Sequence, residues 1–149
     1  MTGSDPGIAP DSLNFSALLR PVNDRSLLLE GGSDLAVRLV QRAGRVTGGP
    51  LEGTLLTELG LHEIAPDYGE GQGFLAFEHG SGDKAYARFS WTGRGVVTAS
   101  GELRPVMFGA WSVHSGSGRF AALAGAGTVV IAIPSEHERN WQFSGALSL

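Results

Sequence analysis

The chain has 149 residues, 42% of them hydrophobic and 17% charged, with 23 glycines and a net charge of −4. That length suits one domain with a real core, the apolar content excludes a disordered chain, and the glycines point to many turns, so an all-β fold is expected. An acidic balance with no Lys/Arg run excludes a nucleic-acid binder, and the absence of cysteine excludes a disulfide framework or a thiol nucleophile.

Residues 1–25 mix Gly, Ser, Asp and Pro around one apolar patch, Phe15 to Leu19, and Pro21 interrupts any helix there. A flexible tail with one candidate anchor is expected, followed by a single domain over residues 26–149. The start carries neither a positive segment nor an apolar run, and no later stretch is long enough to cross a bilayer. A cytoplasmic protein with no membrane partner is the expectation.

From Ser26 onward the chain breaks into short alternating runs. Leu35, Val37 and Leu39 alternate with Ala36, Arg38 and Val40, which reads as a strand with one solvated face. Thr47-Gly48-Gly49-Pro50 is a turn. Leu51 to Ile64 reads as a long strand with Leu55, Thr57, Leu59 and Leu61 on one face and Thr54, Leu56, Glu58 and His62 on the other, the faces not clearly segregated. Ala65 to Gly73 reads as a mobile loop placed to cover one end of the domain.

Phe74 to His79 and Lys84 to Trp91 form a hairpin around Gly80-Ser81-Gly82-Asp83. If His79 pairs with Lys84, then Phe74, Ala76, Glu78, Ala85, Ala87, Phe89 and Trp91 share the inner face. Glu78 becomes an inward carboxyl among alanines, and Leu75, Phe77 and Tyr86 form an outer apolar stripe fit for a homo-oligomer interface. Pairing Ala99 with Glu102 turns His114 to the same interior, whereas a one-residue bulge turns Trp111 inward and His114 out. Thr128 to Ile133 is a nearly continuous apolar run, as for a strand covered on both faces, and Trp141 to Ser148 alternates as a final strand.

Between these lies Gly109-Ala-Trp-Ser-Val, then Gly116-Ser-Gly-Arg-Phe-Ala-Ala-Leu-Ala-Gly-Ala-Gly127. This pattern, with Gly53 in Leu-Glu-Gly-Thr, the Phe77 to Gly82 hairpin and the closing strand, resembles the small bacterial members of the allene oxide cyclase-like barrel superfamily over residues 35–149. The resemblance implies a single antiparallel eight-stranded barrel. It implies activity only broadly, because that superfamily holds isomerases and natural-product cyclases beside members without a known role.

Gly116-Ser117-Gly118-Arg119-Phe120-Ala121 also matches the dinucleotide fingerprint formally, but Gly125 and Gly127 leave no room for the helix that motif requires. His62, His79, His114 and His137 are scattered, so no metal and no cofactor are expected. Gly80-Ser81-Gly82 is a turn, and no serine elbow occurs.

Two readings of function follow. In the first, a hydrophobic small molecule, such as a polyketide-type intermediate, binds in the lumen and undergoes cofactor-free cyclisation or isomerisation. Glu78 and His114 are the candidate catalytic groups, and Phe74, Phe89, Trp91, Trp111 and Trp141 shape the pocket. A similar strategy is what the resemblance to the cyclases implies. In the second, the barrel is a non-catalytic binding or structural module. A cavity above about 300 Å³ with Glu78 in its wall favours the first, and a filled interior the second.

Overall fold

The computed structural model describes residues 12–28, 35–66, 68–97 and 99–149. Eight strands follow one another: β1 (Ser12–Leu28), β2 (Ala36–Thr47), β3 (Leu55–Ile64), β4 (Tyr68–Glu78), β5 (Lys84–Val97), β6 (Leu103–Gly116), β7 (Ala124–Ser135) and β8 (Glu138–Ser148). Each pairs antiparallel with the next, and β8 returns to β1, setting Phe143 against Phe15 and Trp141 against Ala17. The sheet closes into the expected eight-stranded antiparallel barrel.

The tail expected over residues 1–25 is shorter than that reading, because from Ser12 the chain is already the first strand; residues 1–11 lie outside the described part. Phe15, Ala17 and Leu19 point inward and are buried as core. Pro21 is tolerated because β1 has by then passed its last pair with β8, Leu19 with Arg139, and a bulge falls between Pro21 and Asn23.

The β4–β5 hairpin shows how one residue decides a face. Glu78, not His79, pairs with Lys84, so the connection runs over His79 to Asp83. Its Gly82, at φ 95°, donates its N–H to His79 O, and His79 N–H bonds Asp83 O. The slip leaves Ala85, Ala87, Phe89 and Trp91 facing in as expected but reverses β4: Leu75 and Phe77 are buried, while Glu78 is exposed. The outer Leu75/Phe77/Tyr86 stripe therefore does not exist. Along β5 and β6, Ala87 pairs with Val113 and Phe89 with Trp111, so Trp111 is inside and His114 is exposed on the outer surface. In β7, Val129 and Ile131 are buried but Val130 is 38% exposed, so that strand is covered on one face only.

One end of the barrel is filled by rings. Phe15 stacks on Phe143 at 4.6 Å, with Phe77 and Trp111 edge-on around Phe15 at 6.4 and 5.8 Å. The corner after β6 shrinks to a 3-10 turn, Gly118–Phe120, which buries Phe120. Trp111 Nε1 donates to Thr128 O at 3.0 Å. The residual space here is about 10 Å³, far below what a small-molecule ligand needs.

Candidate functional site

The other end is open. Where β1, β3, β5 and β7 finish and β2, β4, β6 and β8 begin, the wall surrounds a cavity of about 510 Å³. Its floor is Trp141, stacked on Phe143 below at 5.9 Å and met edge-on by Phe89 at 5.2 Å. Met107, Ile131, Ile133 and Trp91 make the sides, and Ala65, Pro66 and Tyr68 line the rim; the loop expected over Ala65 to Gly73 is shorter than that reading, because β4 already begins at Tyr68 and is paired on both sides.

The polar part of the wall comes from β2 and β3, where hydrophobic-in, polar-out is reversed. Glu58 is 0% and His62 5% exposed, whereas Leu39 and Leu59 on the opposite face are 58% and 46% exposed. Arg38, read from the sequence as solvated, lies on the inner face with Arg42, and both line the cavity. The registers set Arg42 opposite Glu58 and Arg38 opposite His62. Arg42 is neutralised by Asp24 of β1 at 3.1 Å.

Glu58 Oε2 and His62 Nε2 are joined by a 2.6 Å hydrogen bond. The two residues are four apart on a strand, about 13 Å of backbone. They meet because Gly60 lies between them: a Cβ there would sit 2.6 Å from Glu58 Oε2 and 3.0 Å from His62 Nε2. The Trp91 indole stands edge-on to the His62 ring at 4.9 Å, and it fits against β4 because Gly71 leaves the space a side chain would fill.

The hydrogen-bond accounting differs between the two ends. At the open end Glu58 Oε1, Trp91 Nε1, Trp141 Nε1 and Arg38 Nε are occluded from water and have no partner among the described residues. His62 Nδ1 also lacks one among the described residues but is not among the occluded atoms, and His62 lines the cavity. Unpaired buried polar atoms are rare in folded proteins, and here four of them gather around one cavity. Burial, then the charges of Arg42 and Arg38, hold the Arg139 guanidinium below its ordinary value, against opposing contributions from Asp24 and Glu58.

Of the residues singled out from the sequence, Trp91 and Trp141 line this cavity. Phe89 supports its floor, Trp111 belongs to the filled end, and Phe74 is 36% exposed on the outer face against His114 at 5.7 Å. Glu78 and His114, expected inside as an acid–base pair, are both outside the barrel, so neither can act in the lumen. The pair that does occupy the interior, Glu58 and His62, shares one face in the sequence pattern but is not among the residues that pattern singles out. The available signal was a glycine midway between two ionisable residues of that face. Among the described residues no group of three or more metal-ligating side chains occurs, and no helix is long and apolar enough to cross a membrane. Two further concavities, of about 460 and 760 Å³, lie largely along outer-face residues such as Leu61, Phe108, Leu59 and Phe74.

The chain matches none of the protein-family models and none of the curated proteins with which it was compared.

Proposed function

We propose that this barrel is a cofactor-free isomerase or cyclase that moves a proton on a hydrophobic small molecule held in its open end. The observation that carries the reading is the Glu58–His62 hydrogen bond at the wall of a largely apolar cavity, with His62 Nδ1 left unpaired among the described residues. A neutral imidazole that donates from Nε2 to Glu58 keeps Nδ1 as an acceptor, the state a general base needs. Glu58 behind it fixes the tautomer and stabilises the imidazolium once a proton has been taken. In an isomerisation, His62 removes a proton from an activated C–H, the electron pair shifts along the substrate, and the same proton returns at another atom. In a cyclisation, the walls of Trp91, Trp141 and Met107 also hold the chain folded, which lowers the entropic part of the barrier.

Kinship with the allene oxide cyclase-like barrels belongs to this proposal. It is supported by the closed eight-stranded barrel and by the Gly109–Gly127 pattern. A polyketide-type substrate would suit an aromatic-walled pocket of this size.

A substrate-independent probe tests the base. In 5-nitrobenzisoxazole, removal of the C3 proton opens the N–O bond to a coloured cyanophenolate and needs no cofactor. The wild-type protein is expected to accelerate this opening, and His62→Phe to lose about 10²-fold or more of it. Equal rates for the two proteins would leave the non-catalytic binding barrel as the better reading.

A further inference from the structure

The charges of the described residues around the open end do not balance. Among the described residues Arg38, Arg42, Arg94 and Arg139 line the cavity, against one lining carboxylate, Glu58. Arg42 is spent on Asp24 and Glu58 on His62, while among the described residues Arg38 and Arg139 form no ion pair. Arg139 uses Nη1 on the carbonyls of Ser135, Glu136 and Glu138, which fixes the guanidinium at the rim without neutralising it. Arg38 Nε is buried and unpartnered among the described residues. Beside these cations the indole N–H groups of Trp91 and Trp141, both more than nine-tenths buried, are donors without an acceptor there.

Guanidinium groups that line one half-closed cavity repel one another, and Arg139 is held below its ordinary value by burial first and then by the charges of Arg42 and Arg38. An anion relieves that repulsion, and planar oxygen acids suit the guanidinium fork. We infer that the open end recognises a ligand with an acidic oxygen group, a carboxylate or an equivalent delocalised oxyanion, on an apolar body. Arg38 and Arg139 receive the acid, and Trp91, Trp141 and Met107 receive the body. This rests on the open end being the ligand site, and it names the class of substrate that the Glu58–His62 pair would act on.

Three probes of one chain length test it: octanoate, 1-octanol and octylammonium, titrated by calorimetry and by the fluorescence of the wall tryptophans. Octanoate is expected to bind about tenfold or more tightly than octanol, and octylammonium most weakly, because charge-assisted bonds are about twice as strong as neutral ones. Arg38→Gln is expected to remove about tenfold from octanoate and leave octanol unchanged. In wild-type protein, raising salt to about 1 M should weaken octanoate but not octanol; this arm decides if Arg38→Gln fails to fold. Octanol binding as well as octanoate, or no octanoate binding up to about 10 mM, overturns the inference. If octanoate is preferred but His62→Phe opens 5-nitrobenzisoxazole as fast as wild type, the anion site stands and the catalytic reading falls. If the base is confirmed and the charge preference is absent, only the anion site falls.

Discussion

Arg42 and Glu58 are backbone partners across β2 and β3, yet the Arg42 guanidinium turns to Asp24 at 3.1 Å and leaves Glu58 to the imidazole of His62. The bulge in β1 between Pro21 and Asn23 lies just before the residue that makes this division, because Asp24 follows it directly. A buried carboxylate claimed by an arginine would be a structural ion pair. One claimed by a histidine that meets a cavity is available to position a base.

Asp24→Asn tests that division. The Arg42 side chain is 7% exposed and would lose its ion-pair partner, so stability is expected to fall by about 1–3 kcal/mol, below the cost of a fully buried pair because Asp24 is 26% exposed. Arg42 would then turn to Glu58, and the opening of 5-nitrobenzisoxazole should slow about tenfold or more. Chemical denaturation and the rate assay on the same preparation read both effects.

Gly60→Ala is the least intrusive way to separate Glu58 from His62. The added methyl would meet the ends of two flexible side chains rather than backbone, so they move and the barrel stays folded. The expected cost is about 1–3 kcal/mol, as for modest overpacking, together with a tenfold or greater loss of proton-transfer rate. A wild-type rate in the Gly60→Ala protein would mean that the hydrogen bond between the pair is not used.

At the filled end, Asp83 accepts the Arg119 backbone N–H at 3.1 Å, and this bond holds its carboxyl below the ordinary value of 3.8. A lowered carboxylate stabilises the fold above its unfolded-state value, and that contribution disappears as pH falls through the still lower folded-state value. Asp83→Asn is therefore expected to be less stable than wild type at neutral pH, and the difference should vanish in strong acid. Thermal melts of both proteins from neutral to about pH 2 check the convergence, which should come below the ordinary carboxylate range.

Much of the barrel was legible in the alternation of its strands and the glycines of its turns, because period-two patterning and turn chemistry act locally. The faces were harder. Counting the Gly80 hairpin one residue short reversed all of β4 and brought Glu78 inside on paper, since register depends on the hydrogen bonds of a loop rather than on composition. On β2 and β3 the difficulty was of another kind: Arg38, Glu58 and His62 face inward while Leu39, Leu59 and Leu61 face outward. Hydrophobic-in reasoning places such residues the wrong way round where an interior keeps a cavity lined by ionisable side chains instead of a filled apolar core. Gly60 and Gly71, each set against an inward ionisable or aromatic side chain, were the local traces of that site.

The most direct measurement compares Glu58→Gln with Glu78→Gln in the 5-nitrobenzisoxazole assay, at matched folding by near-ultraviolet circular dichroism. Glu58 is 0% exposed behind His62, and Glu78 is exposed on the outside of the barrel. The account expects Glu58→Gln to lose about 10²-fold or more, the loss of a buried carboxylate behind an imidazole base, and Glu78→Gln to match wild type. Wild-type rate in folded Glu58→Gln would contradict it.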